Sequence, residues 1–311
     1  MMENIQFGSM ETAVLVVAAT TALFCVKVLF LSSDPVALDP KKVIDFTLIE
    51  REDTSHDTRR YRFALQSPDH VLGLPIGKHI LLSANCGKDG KKCLRAYTPV
   101  SSDADMGYFD LVVKTYFPNV HPKFPDGGRM GMYMEEMKVG DSIGVRGPAG
   151  KITYSGRGQV LVEKGKMRES GFKRENNEKL YAKQIGMVCG GTGITPMLQI
   201  VRAAMKDPQD KTVFHLLFAN KTEDDILLRS ELEAFAKDHP ESFKLWFTID
   251  EAKDEWKYDT GFITQEMMEK HLPAPSDDTL LMICGPPPMV KFACLPGMAV
   301  IGHDFHNILE F

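Results

Sequence analysis

The sequence predicts two domains, an antiparallel β-barrel followed by an α/β domain with a parallel sheet, behind an N-terminal membrane helix. Three observations carry this. Residues 12–31 form one apolar run; from Val43 to Gly150 apolar and polar residues alternate in short segments; and after Gln184 short apolar strands alternate with helical segments. The boundaries that follow are 1–33 for the anchor, 34–150 for the barrel, 151–183 for a basic connector and 184–311 for the α/β domain.

The run "TAVLVVAATTALFCVKVLFL" is as long as a spanning helix needs, and its one charge, Lys27, lies near the end, where it can snorkel to the headgroups. Glu3 and Glu11 precede it with no Lys or Arg, the reverse of a signal peptide, so an uncleaved anchor is the favoured reading and a buried core helix the other. Lys41 and Lys42 follow and place the bulk of the chain in the cytosol.

In "RRYRFALQ", Tyr61, Phe63 and Leu65 alternate with Arg60, Arg62 and Ala64, the period of a half-buried strand. "KHILLSAN", "RAYTPVS", "YFDLVVKTY" and "DSIGVRG" behave alike, with Gly and Pro in the gaps, as in a barrel or sandwich of antiparallel strands. Residues 151–183 hold nine Lys and Arg against four Glu, a charge run that reads as a solvated linker or hairpin, or as a positive face for an acidic partner. Beyond Gln184, "IGMVCG" leads to a helix near Pro196, "TVFHLLFAN" to "DDILLRSELEAFAKDH", "FKLWFTID" to "ITQEMMEKHL", and "TLLMICG" to "PPPMVKFACL", the grammar of a parallel sheet with covering helices.

Composition narrows the function. Of 311 residues, 43% are hydrophobic and 25% charged, with a formal net charge of -5, which gives no footing for nucleic acid. The six cysteines, Cys25, Cys86, Cys93, Cys189, Cys284 and Cys294, form no CxxC pair, and the nine histidines are scattered. Reduced thiols and no metal site are expected.

Two stretches carry chemistry. "CGGTGITPM" and "CGPPPM" each end an apolar strand of the same proposed sheet, where helix N-termini attract phosphate. Gly190, Gly191 and Gly193 would let a pyrophosphate approach the main chain, with hydroxyls from Thr192 and Thr195 and Pro196 suited to the first helical turn. The spacing is not GxGxxG. In the second stretch Gly285 permits close approach, Pro286 to Pro288 make a stiff wall, and Cys284 reads by type alone as a buried small hydrophobe.

Together with "RAYTPVS", "VVKTYF", "HPKFPDGG" and "LLFANKTEDDILLR", these stretches make the chain similar to the ferredoxin-NADP reductase superfamily, and within it to the NADH-cytochrome b5 reductase family, from about Val43 to the C-terminus. The resemblance implies an FAD-binding barrel, an NADH-binding α/β domain and hydride transfer between the two cofactors at their interface, with Thr98 and Cys284 where the hydride passes. For FAD it implies Arg95 on the pyrophosphate, Tyr97 and Thr98 at the isoalloxazine, Val113 and Tyr116 lining the cofactor, and Gly127, Gly128, Arg129 and Met130 as backbone donors to the diphosphate. For NADH it implies Lys114, the two glycine motifs with Pro287 and Met289, and Asp250, whose carboxylate would accept from ribose hydroxyls and repel the extra phosphate of NADPH.

Two positions depart from the family pattern: Gly131 stands where Ser is usual, removing a hydroxyl contact to phosphate, and Ala96 where Pro is common. The implied acceptor is cytochrome b5 or a similar acidic haem protein, steered by Lys91, Lys92, Lys123, Arg129 and the basic connector. The implied setting is a monomer anchored to the endoplasmic reticulum or outer mitochondrial membrane. Other readings are a same-fold NAD(P)H reductase for another acceptor, such as a quinone, and a membrane-tethered binding module that has lost flavin.

Overall fold

Strand β2 (Thr58–Ala64) shows why the first half becomes a sheet: Tyr61 and Phe63 are fully enclosed, while Arg60 and Arg62 on the other face pair with Glu50 and Asp110. It joins β1 (Ile44–Asp53), β3 (His79–Ala84), β4 (Cys93–Tyr97), β5 (Tyr108–Lys114) and β6 (Ser142–Ala149) in an antiparallel sheet of order β4-β3-β6-β1-β2-β5. Just past β4 the Val100 N–H donates to Asp110 O on β5 at 2.9 Å, so the two ends of the order meet as a barrel requires. Helix α1 (Arg129–Glu136) buries Met130 and Met134 against this barrel.

The computed structural model describes residues 34–87, 90–120 and 125–311. The apolar run 12–31 lies outside the described residues, and among them no helix is long and apolar enough to cross a membrane.

Of the linker and hairpin expected for the basic connector, the structure has the hairpin, within a folded and docked segment. It folds into β7 (Ile152–Gly156), β8 (Gln159–Val162), β9 (Gly165–Lys166), β10 (Lys173–Arg174) and β11 (Glu178–Tyr181), with sheet order β11-β8-β7 and a β9–β10 hairpin. Arg174 is fully buried, donating to Glu178 at 2.5 Å and to the carbonyl of His306. Glu310 accepts from the N–H groups of Glu169 and Ser170 at 2.6 and 2.9 Å. Charge sits here on a docked structure because the C-terminal segment supplies partners.

The second large sheet is parallel: β12 (Gln184–Gly190), β13 (Val213–Asn220), β14 (Phe243–Ile249), β15 (Asp259–Thr260), β16 (Thr279–Cys284) and β17 (Ile308–Glu310), in the order β15-β14-β13-β12-β16-β17. Helix α2 (Ile194–Lys206) starts two residues before Pro196. Helix α3 (Arg229–Asp238) is shorter than its sequence pattern, because Leu228 is left-handed at φ 56° and separates it from a 3-10 turn at Glu223–Asp225. Helix α4 (Gln265–His271) precedes β16. A turn at Pro287–Met289 and a π-helical turn at Val290–Cys294 then lead into α5 (Leu295–Ile301).

From Val36 onward the chain is one compact unit. Val100 and Val112 of the barrel share a core with Ile185, Met197, Val201 and Phe214 of the α/β half.

Candidate active site

The chain runs from β12 outward through β13 and β14, then returns to place β16 on the other side of β12. That reversal is where ligands of open parallel sheets gather. Cys189 stands opposite Cys284 in register, so the two glycine stretches lie side by side. They interlock. A Cβ on Gly193 would stand 2.1 Å from Cys284 O, one on Gly190 2.9 Å from Met289 Sδ, and one on Gly285 2.5 Å from Met289 Cε. The absence of side chains at these three glycines thus lets the two loops pack against each other, a role beside the pyrophosphate approach that the sequence suggests for Gly190, Gly191 and Gly193. Gly191 differs: it is left-handed at φ 54° and has open space above it. Thr195 donates its hydroxyl to Thr192 O at 3.1 Å, so that hydroxyl serves the turn, and Pro196 is buried in the first turn of α2. Neither this turn nor α2 has a side-chain cap.

Burial pushes the Cys284 thiol up to about 12 and the fully buried Cys189 thiol upward as well. Both stay neutral at physiological pH, so Cys284 offers a small uncharged group rather than a nucleophilic thiolate. Pro286 and Pro287 are exposed beside it at the start of the turn. Asp250 is exposed just past β14, its N–H donating to Asn220 O at 3.1 Å.

On the barrel side, Arg95 is exposed on β4 and donates to Leu94 O at 2.8 Å. Burial pushes the Tyr97 phenol up to about 12. Thr98 follows, half-buried. Val113 points into the barrel core at 1% exposure, so its side chain lines no open surface. Gly128 donates to Tyr116 O at 2.7 Å, and a Cβ on the left-handed Gly127 would stand 2.8 Å from that same oxygen.

What the sequence presents as a diphosphate loop becomes helix from Arg129 on. Gly128 is an N-cap with no side-chain hydrogen bond, and no acidic residue occupies the first turn, so main-chain N–H groups and the positive end of the helix are offered outward. Beneath them Thr115 Oγ1 is buried with no hydrogen-bond partner among the described residues. A Cβ on Gly131 would make only ordinary contacts there, 3.4 Å from Thr115 Cα and 3.7 Å from Thr115 Oγ1. Exposed Arg129 adds a cation, Met130 is buried, and this donor set fits a phosphate-bearing group.

Lys114 is no free cation. Its Nζ lies 2.6 Å from Asp57 and 2.5 Å from Asp225, with His56 Nε2 3.4 Å from Asp57. Burial pulls the Lys114 pKa down, but the two carboxylates outweigh it and the net shift is upward. For Asp225 burial pushes up, and hydrogen bonds from Lys114 and Thr222 win, so its carboxyl is held below the usual range. Asp57 and Asp225 escape sequence reasoning; the one local signal is the Thr222-x-x-Asp225 capping box. Lys114 thereby ties β5 of the barrel to the turn after β13.

Residues 45–154 match the oxidoreductase FAD-binding domain family and residues 187–295 the oxidoreductase NAD-binding domain family. The chain is 51% identical over 281 residues to NADH-cytochrome b5 reductase 3 of Rattus norvegicus, covering 90% of each sequence. It belongs to the NADH-cytochrome b5 reductase family. NADH-cytochrome b5 reductase 2 of Xenopus laevis is 48% identical, over 94% of this chain and 97% of that one. Among solved structures, the cytochrome b5 reductase domain of Ulva prolifera nitrate reductase matches with TM-score 0.81 and 41% identity, over 89% of this chain and all of that one. Membership makes this family member an oxidoreductase with one FAD-binding and one NAD-binding domain.

Proposed function

We propose that the chain oxidises NADH through bound FAD and delivers single electrons to cytochrome b5 or a similar acidic haem protein. The observation that carries this is the interlocked pair of glycine loops at the β12–β16 reversal, in a unit whose barrel half offers a phosphate-fitting helix terminus. Bound FAD would supply the hydride-accepting and one-electron chemistry that no side chain offers. The residues of this chain bind and orient. The first turn of α1, with Gly127 to Met130 and Arg95, holds the FAD diphosphate, and Tyr97 and Thr98 contact the isoalloxazine. Gly191 and Thr192 receive the nucleotide phosphates. Asp250 accepts from ribose hydroxyls and repels a 2′-phosphate. Neutral Cys284 adds no charge beside the nicotinamide. The exposed cations Lys91, Lys92 and Arg129 steer the acidic partner, while Lys123 lies outside the described residues. Residues 12–31 anchor the chain to the endoplasmic reticulum or outer mitochondrial membrane with the rest in the cytosol, a reading supported by their apolar run.

An anaerobic titration with NADH and, separately, NADPH tests the core of this reading. A flavin band bleached preferentially by NADH is expected; no flavin band after FAD addition would refute the reading and leave a binding module. Cytochrome b5 reduction should slow as salt rises, and a quinone reduced faster than the cytochrome would reassign the acceptor. Full-length chain staying in membrane pellets after alkaline wash, with chain from Asp34 released, is the expected result for the anchor.

A further inference from the structure

Helix α2 turns two polar side chains toward the barrel. Gln199, 5% exposed, accepts the Gly77 N–H at 2.7 Å. About one turn on, Arg202 donates through Nη1 to the carbonyl of Val100, and its Nε and Nη2 are each held at 2.5 Å by a carboxylate oxygen of Glu231 on α3. The Val100 N–H is already engaged by Asp110 of β5, and its side chain is buried in the core that α2 helps build. Val100 is thus gripped through both its N–H and its carbonyl.

Thr98 lies two residues upstream, roughly 7 Å along an extended chain. The opposite end of α2 emerges from the Gly191–Gly193 turn. One helix therefore meets the nucleotide loop with its N-terminus and, through Arg202, the segment that follows β4 and holds Thr98. A guanidinium held by both oxygens of one carboxylate has its orientation set, which a flexible ammonium would not.

We propose that Arg202, oriented by Glu231, is a positioning residue that sets the spacing between the nucleotide loop and the Thr98 segment after β4, an inference that rests on the NADH-to-FAD reading above. Misplacement of reacting groups by about 1 Å costs on the order of a hundredfold in rate, so a clamp at this joint matters without touching either cofactor.

The test uses full-length holoprotein carrying Arg202→Met, Arg202→Lys or Glu231→Gln. Three quantities are read: FAD content with thermal midpoint, the change in the oxidised flavin spectrum on titration with NAD+, and single-turnover flavin reduction by NADH and by 4-deuterated NADH. Arg202→Met should keep FAD and bind NAD+ with nearly parental affinity, yet perturb the flavin band less. It should be reduced about ten- to a hundredfold more slowly with a larger isotope effect. Arg202→Lys should recover part of the rate, and Glu231→Gln should fall between. Parental spectra and rates in Arg202→Met would overturn the inference and leave a surface ion pair. Should Arg202→Met fail to retain FAD, Glu231→Gln decides, and parental behaviour there overturns the inference too. If NADH bleaches the parent but the variants match it, the clamp alone falls; if NADH does not bleach the parent, the NADH-to-FAD reading falls and takes the clamp with it.

Discussion

Gly193 has no room for a methyl group, because Cys284 O would lie 2.1 Å from its Cβ and both partners are backbone. Gly193→Ala should cost about 1–3 kcal/mol, the usual penalty for overpacking, and should suppress NADH-driven flavin reduction more than FAD content; thermal melts beside flavin absorbance check both. Gly131 is the opposite case. Its backbone is helical, a Cβ there would make only ordinary contacts, and Thr115 Oγ1 below it is buried without a partner among the described residues. Gly131→Ser should therefore add about 0.5–1.5 kcal/mol through a new hydrogen bond and slow FAD release, measured by flavin fluorescence after dilution. Cys284, its thiol pushed up to about 12 by burial, should alkylate with iodoacetamide slowly and at a rate that shows no thiolate inflection between about pH 6 and pH 9, followed by peptide mass spectrometry.

At the scale of elements, Lys114 joins β5 to the turn after β13, and the pH dependence of that tie follows from two opposite shifts. Lys114 is raised above 10.5, so its contribution is whole below the ordinary lysine value and fades as pH climbs through the folded value. Asp225 is lowered from 3.8, so its contribution is whole above the ordinary carboxylate value and fades as pH falls through the folded one. Asp225→Asn should thus be destabilised by a gap that stays constant across neutral pH and closes once acid protonates Asp225 in the parent, as read from urea midpoints in a pH series. The connector makes a second tie. Arg174→Met removes the donor to His306 O, and a loss of about 1–3 kcal/mol is expected from that buried carbonyl left without its partner, with protease cutting near residues 165–174 as an independent readout.

Across the whole molecule, the core shared by Val100, Val112 and α2 couples the barrel, which also has a core of its own, to the α/β half. One cooperative calorimetric transition is expected, and a fragment of residues 184–311 by itself should bind the dye ANS and melt without a sharp transition. The same core marks where reading the sequence stops. Alternation in "RRYRFALQ" and the strand–helix rhythm after Gln184 were legible, because side-chain periodicity is dictated by neighbours a few residues away. So were the two glycine stretches and their strand-end positions, since a turn without side chains is a local requirement. The partners were not legible. Asp57 and Asp225 lie 57 and 111 residues from Lys114, Arg174 finds its carbonyl at His306, and Gly193 makes room for the backbone of Cys284. The sequence by itself determined the elements, their order and the family's glycine signatures. Only the tertiary structure decided which charges are neutralised, which glycines face open space and how α2 grips the barrel, because those depend on contacts between segments whose separation along the chain leaves no local pattern.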